Sequence, residues 1–96
     1  MSEGRTKCRT PDGKSDGTAI PTWKFDALRA AIRGALSAGP MKQADLKAPV
    51  ARRLDADTLD RLGALGWHLT TVRLEMEVRG EIERLPGSPV RLRLAG

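Results

Sequence analysis

The hydrophobic periodicity of the chain changes at Gly80, and this change constrains the fold more than any other feature of the sequence. Before the glycine, Leu69, Val72 and Met76 recur at spacings of three and four, which predicts one buried helix face over about residues 67–79. After it, apolar and charged residues alternate in EIERL and VRLRL, and the PGSP between them predicts a tight turn. We therefore expect a helix that leads into a two-stranded β-hairpin.

The two predicted strands each have one apolar and one charged face. Val90, Leu92 and Leu94 alternate with arginines, so we expect these apolar residues to point inward. Either plausible register places Glu83 opposite Arg91 or Arg93.

Two earlier segments have helical patterns. The first has Thr22 as its expected N-cap, and Gly39 and Pro40 end it. The apolar residues on one face of this helix are Phe25, Leu28, Ile32, Ala35 and Leu36. A shorter pattern follows Asp45, which we expect to cap it, and Asp57 or Thr58 is expected to cap a further turn. The expected core residues, all apolar and on the inner faces, are Phe25, Leu28, Ile32, Leu36, Leu46, Val50, Leu69, Val72, Met76, Ile82 and Leu92.

Residues 1–20 differ in composition from the rest. Their only apolar side chains are Met1, Cys8, Ala19 and Ile20, so we expect a disordered tail in front of one domain over residues 21–96. Cys8 is the only cysteine, which excludes an intramolecular disulfide, and no spacing indicates a metal site or a cofactor. No stretch has the length of a membrane span or the apolar run of a signal peptide, so we expect a cytoplasmic protein.

The net charge of +5 lies mostly in the expected domain. Residues 1–20 contribute +1, from four basic and three acidic residues, and residues 21–96 contribute +4, from thirteen and nine. Arg84, Arg91 and Arg93 occupy a ten-residue segment, 84–93, that contains no acid. A basic hairpin suits a polyanionic partner, although pairing of these arginines with Glu81 or Glu83 is an equal alternative.

The order of three helices followed by a β-hairpin resembles the winged helix-turn-helix domain. The resemblance is best in TVRLEMEVRGEIERLPGSPVRLRL, which is similar to the recognition helix and wing of bacterial winged-helix regulators. The longer run GWHLTTVRLEMEVRGEIERLPGS, with WKFDALRAAI upstream, is similar to small bacterial winged-helix domains of unknown function. The resemblance implies an α+β fold: a three-helix bundle with a C-terminal two-stranded wing.

The resemblance also implies double-stranded DNA as a partner and transcriptional regulation as a role. The last helix would enter the major groove and the wing would contact phosphates or the minor groove. The candidate DNA-binding residues, in the helix and then in the wing, are His68, Thr70, Thr71, Arg73, Arg84, Arg91 and Arg93. Glu75 and Glu77 depart from this pattern, because their charges are expected to repel phosphates.

A protein contact or a homodimer is the alternative. Trp67, Leu74 and Val78 form a second apolar strip on the last helix, nearly opposite its core face, and a DNA-reading helix normally has a polar outer face. We call these three residues the outer strip. Trp23 falls opposite the apolar face of the first helix, where packing against its own chain and contact with a partner are both open.

Catalysis has little support. His68 is the only histidine, and no serine, cysteine or paired carboxylate beside it forms a nucleophile and base arrangement. No glycine-rich phosphate-binding loop is present. We therefore predict that the protein is not an enzyme.

Overall fold

The computed structural model describes residues 4–13 and 17–95, which form an α+β fold with two small antiparallel sheets. In chain order the elements are β1 (Arg5–Cys8), β2 (Thr18–Pro21), α1 (Thr22–Leu36), β3 (Met41–Lys42), a 3₁₀ turn (Gln43–Asp45), α2 (Lys47–Arg52), α3 (Ala56–Leu62), α4 (Leu65–Val78), β4 (Ile82–Leu85) and β5 (Arg91–Leu94). None of the helices in these ranges is both long and apolar enough to cross a membrane.

A single core joins α1 and α4 to the remaining elements. All eleven residues expected in the core are buried, which confirms the helix phasing of the sequence prediction. Six residues of α1 are buried, including Leu28 and Ile32 at 0% exposure, and Val72 and Met76 of α4 face them. Leu92 contributes from β5, so the second sheet closes one side of the helical core.

The expected helix caps are wrong in each case. α1 begins at Thr22 itself, whose hydroxyl lies 2.9 Å from the hydroxyl of Thr6 in β1, so it is not free to cap the helix. Asp45 ends a 3₁₀ turn and caps no helix. Asp55, rather than Asp57 or Thr58, caps α3 by accepting a hydrogen bond of 2.7 Å from the Thr58 amide.

The expected three helices are four within the described residues, because residues 56–62 form a helix of two turns, α3, where one further turn was predicted. The last helix begins at Leu65, two residues before its predicted start, and ends at Val78. Gly80 follows with a φ of 75°, a left-handed conformation that glycine adopts without strain and that turns the chain into β4.

The expectation that residues 1–20 are disordered is wrong for the residues that the structure describes. β1 and β2 pair in antiparallel fashion, with Thr6 opposite Ile20 and Cys8 opposite Thr18. Cys8 and Ile20 are each only 3% exposed and belong to the same core as α1 and α4. A few apolar side chains are therefore enough to order this hairpin, because they pack onto a core that other segments form. Residues 1–3 and 14–16 of the expected tail lie outside the described residues.

The second sheet has three strands in the order β3, β5, β4, one strand more than predicted. Glu83 lies opposite Arg93, as one of the two expected registers requires. The loop over residues 86–90 is longer than the expected tight turn, and Val90 lies in it at 36% exposure instead of pointing inward. The carbonyl of Val90 instead accepts a hydrogen bond from the Gln43 amide, which ties the loop to the end of β3.

Candidate functional site

The N-terminal half of α4 has an exposed outer face. Trp67 is 51% exposed and Thr70 is exposed, whereas Leu74 and Val78, further along the same face, are half-buried. The expected major-groove helix therefore does present side chains to solvent, but they are mainly apolar groups and methyl groups.

Two of the predicted DNA-binding residues on α4 are engaged with the helix backbone. The Thr71 hydroxyl donates a 2.8 Å hydrogen bond to the carbonyl of Trp67, one turn earlier. His68 Nδ1 lies 2.7 Å from the carbonyl of Ala64, and its ring packs edge-on against Trp67 at 4.9 Å between centroids. The Thr71 hydroxyl and the His68 Nδ1 are therefore both occupied by carbonyls one turn earlier in the chain.

Arg73 does not reach the surface. It is 6% exposed, and its Nη1 donates a 2.5 Å hydrogen bond to Oε2 of Glu77 in the next turn of α4. Burial lowers the pKa of Arg73, and the neighbouring Glu77 carboxylate opposes this shift. The structure therefore does not present Arg73 at the surface as the DNA-binding residue that the winged-helix resemblance implied.

Two of the three wing arginines are also neutralised. Arg84 donates to Oε1 of Glu77 at 2.7 Å, so that Glu77 bridges the helix and the wing. Arg93 pairs with Glu83 across the β4–β5 ladder. For these two, ion pairing is the observed alternative to phosphate contact.

Arg91 is different, because its neighbour on the next strand is another cation. Lys42 of β3 lies directly opposite it in the sheet, and both residues are exposed. Across the described stretches, 4–13 and 17–95, neither side chain has an ion-pair partner. Like charges directly opposite each other destabilise a sheet, so this position favours a bound anion.

A groove lies between the end of β3 and the start of α4. It is lined by Met41 of β3, Asp45 of the 3₁₀ turn, Lys47 and Arg52 of α2, and Leu65 at the start of α4. A side chain added at Gly66 would lie 3.7 Å from Nζ of Lys47, which places this ammonium beside the first turn of α4. We call Lys42, Lys47, Arg52 and Arg91 the basic rim.

Three members of the basic rim were missed by sequence reasoning. Lys42, Lys47 and Arg52 are scattered over a segment whose local charge is mixed, and only the pairing of β3 with β5 joins Lys42 to the wing. A two-residue strand has no alternation to recognise. One feature of the sequence could have indicated them. No glutamate occurs between residues 4 and 74, so the basic residues of α2 have no glutamate near them in the sequence as an ion-pair partner.

Glu75, expected to repel phosphates, is fully buried under the N-terminal hairpin. Its carboxylate accepts hydrogen bonds from the backbone amide and the side chain of Arg9, and from Nε of Arg79 at 2.8 Å. Chiefly the bonds from Arg9 lower the pKa of Glu75 to about 2, against the effect of burial. Its negative charge is therefore compensated within the fold, as is that of Glu77.

The outer strip is partly covered by the same hairpin. Thr10 and Pro11 border one cleft with Leu74 and another with Val78. Trp67 is the member of the strip that stays largely open. Trp23 lies at the α1–α3 contact, with the guanidinium of Arg61 4.9 Å from its ring centroid, so it packs against its own chain.

Arrangements suited to metal binding are absent from the described stretches, since no three His, Cys, Asp or Glu side chains lie close enough together to hold an ion. Cys8 is buried, and burial, followed by the charge of Glu75, raises its thiol pKa to about 11. A thiol with such a pKa is a poor nucleophile at neutral pH.

The sequence matches a family of unknown function, DUF6958, over residues 5–92, and the chain belongs to that family. The match begins at Arg5, the first residue of β1, so the N-terminal hairpin is part of the family's common sequence. Neither a curated protein nor a solved structure matches the chain.

Proposed function

We propose that the chain is a DNA-binding module of the winged-helix type. In this proposal the N-terminal half of α4 enters the major groove of a duplex, and the basic rim contacts the phosphates on either side. The order of α1, β3, α2, α4, β4 and β5, with β5 between β3 and β4, supports the winged-helix assignment. The departures are α3 and the N-terminal hairpin, which precedes the winged-helix elements.

The observation that carries the proposal is that Lys42 and Arg91 lie opposite each other in the sheet, and that neither has an ion-pair partner among the described residues. The fold pairs each described glutamate with at least one arginine, yet it leaves these two cations side by side and exposed. A phosphate group between them would relieve their repulsion, and a polyanion would use Lys47 and Arg52 at the same time. Transcriptional regulation is a role that such a module would suit.

The test is a duplex titration at several salt concentrations. Lys42→Gln with Arg91→Gln should reduce the magnitude of the salt slope by roughly one unit, since the two side chains share one phosphate contact and about one counterion is released for each contact. Arg5→Gln with Lys7→Gln on β1 is the matched control, because it removes two exposed cations from the other sheet and should leave the slope unchanged. The proposal would be refuted if the salt slope fell equally in both variants, or if the wild-type protein did not bind a duplex at low salt.

The exposure of Trp67 favours a second candidate, a homodimer or another protein partner. The weakness of this candidate is the small exposed apolar area around Trp67. Leu74 and Val78 are half-buried, and the only other large apolar side chain with comparable exposure in the described ranges is Val90. A stable interface buries about 800 Å² on each partner, which this surface does not supply as apolar area. Sedimentation of the free protein, with Trp67→Ala as the comparison, tests this candidate.

A further inference from the structure

The contacts of α4 limit which base pairs it can distinguish. From this limit the proposed function can be extended to the class of DNA sequence that α4 would bind. Guanine is usually read by a bidentate arginine or lysine, and adenine by asparagine or glutamine. α4 contains no lysine, asparagine or glutamine, and its one arginine is Arg73. With Arg73 buried and bound to Glu77, α4 offers no side chain for either of these bidentate contacts.

Cytosine is excluded by the same reasoning. Its exocyclic amine is read by a carboxylate, and the carboxylates on α4 are Glu75 and Glu77. Glu75 is 0% exposed and is bound by Arg9 and Arg79, and Glu77 holds Arg73 and Arg84. Neither carboxylate is available to a base.

Apolar contact is the remaining means by which the outer face of α4 can select a base. Thr70 is exposed, Thr71 beside it is half-buried with its hydroxyl bound to the Trp67 carbonyl, and Leu74 follows one turn after Thr70. The polar groups beside them are the Thr70 hydroxyl, the Trp67 indole N–H and the second ring nitrogen of His68, and each can bond singly to more than one base, so they select no single base. In the major groove the C5-methyl of thymine is the apolar group that distinguishes one base from the others.

We propose that α4 selects A·T base pairs by packing the methyl groups of Thr70 and Thr71 against the C5-methyl groups of thymine. The inference rests on the proposed function, because it requires α4 to lie in the major groove. The basic rim supplies charge complementarity for the flanking phosphates, and this favours DNA over a protein as the occupant of the face.

The experiment compares four short duplexes of matched length at one low salt concentration, by fluorescence anisotropy with the full chain. They are an A·T-rich duplex, the same duplex with deoxyuridine for thymidine, a G·C-rich duplex, and the G·C-rich duplex with 5-methylcytosine for cytosine. Removal of the methyl groups should weaken binding by about fourfold for each methyl that is buried, and 5-methylcytosine should strengthen binding to the G·C-rich duplex.

Other outcomes separate the two proposals. Salt-sensitive binding that is equal for all four duplexes would overturn the methyl readout and leave DNA binding intact. A preference for A·T that survives deoxyuridine would also overturn it, since the preference would then come from groove shape. No salt-sensitive binding to any duplex would overturn the proposed function and the readout together.

A variant pair assigns the contact to the named residues. Thr70→Ser with Thr71→Ser removes two methyl groups and retains both hydroxyls, so the helix and its bond to the Trp67 carbonyl should persist. The affinity ratio between the thymidine and deoxyuridine duplexes should fall towards one. Thr18→Ser, at an exposed position of β2, is the control and should leave the ratio unchanged. An unchanged ratio in the double variant, with its circular dichroism intact, would overturn the assignment.

Discussion

Arg9 and Glu75 are 66 positions apart in the sequence and are joined by three hydrogen bonds, from the Arg9 backbone amide at 2.8 Å and from its guanidinium at 3.0 and 2.8 Å. The pair connects the end of β1 to the middle of α4. Because the Glu75 carboxylate is buried, its charge needs these donors and that of Arg79 to compensate for lost hydration. The N-terminal hairpin is thus held to the helix by charge as well as by its apolar residues.

Replacing Glu75 with glutamine should destabilise the protein by roughly 1 to 3 kcal/mol, because the buried site loses hydrogen bonds to a charged acceptor, while Arg9 and Arg79, 52% and 39% exposed, keep part of their hydration. The control is Glu83→Gln, which makes the same chemical change in the exposed pair with Arg93 and should cost under about 1 kcal/mol. Urea unfolding of both variants measures the difference. Equal costs would contradict a special role for the Arg9–Glu75 pair.

Stability should fall in acid through the same group. The pKa of Glu75 in the folded protein is about 2, below its ordinary value of 4.5. A depressed pKa contributes stability that is complete above the unfolded value and is lost as pH falls through the folded value. The stability difference between wild type and Glu75→Gln should therefore be constant above pH 5 and shrink from about pH 4.5 down to about pH 2. Unfolding titrations over this range check it, and a difference that grows in acid would contradict it.

The N-terminal hairpin should contribute to the stability of the whole fold. Ile20 is 3% exposed in the core, so Ile20→Ala should cost about 2 to 4 kcal/mol through lost burial and a residual cavity. Val90→Ala removes an apolar side chain that is 36% exposed in the loop before β5, and should cost under about 1 kcal/mol. Thermal unfolding of the two variants provides the measurement. If Ile20→Ala unfolded like wild type, the hairpin would not be packed in solution.

Sequence periodicity was sufficient for the elements that bury a regular face. The phases of α1 and α4 follow from apolar spacings of three and four, and the alternation in β5 predicts its inner face, including Leu92. The hairpin of β1 and β2 has no comparable pattern, since Cys8 and Ile20 gain their burial from a core built by other segments. Composition alone therefore predicted disorder where tertiary contacts create order.

The candidate site was harder to predict for a related reason. Residue type suggested that Arg73, Arg84 and Arg93 bind phosphates or bases, but each has a glutamate partner that depends on three-dimensional position. The Arg93 pairing follows from strand register and was anticipated as an alternative. The meeting of Lys42 with Arg91 depends on a two-residue strand, which no local pattern predicts.

Two glycines near the ends of α4 should respond in opposite ways to alanine. Gly66 lies within α4, and a Cβ added there would be 3.7 Å from Nζ of Lys47, which is an ordinary contact distance. Gly66→Ala should therefore stabilise the protein by about 0.5 to 1 kcal/mol. Gly80 has a φ of 75°, and Gly80→Ala should cost roughly 1 kcal/mol although the space around it is open. Chemical denaturation of the two variants is the measurement. Stabilisation at Gly80 would contradict the left-handed turn between α4 and β4.

The burial of Arg73 predicts that its charge is dispensable for DNA binding. Arg73→Met keeps most of the side-chain volume, and Glu77 retains Arg84 as a partner, so the cost to stability should be only about 1 to 2 kcal/mol. Affinity for both A·T-rich and G·C-rich duplexes should stay within about twofold of wild type, whereas Arg91→Gln should weaken both by a similar factor, as expected for a phosphate contact. Titrations of the two variants on both duplexes test this. A loss confined to the G·C-rich duplex in Arg73→Met would mean that the arginine leaves Glu77 on binding and reads guanine.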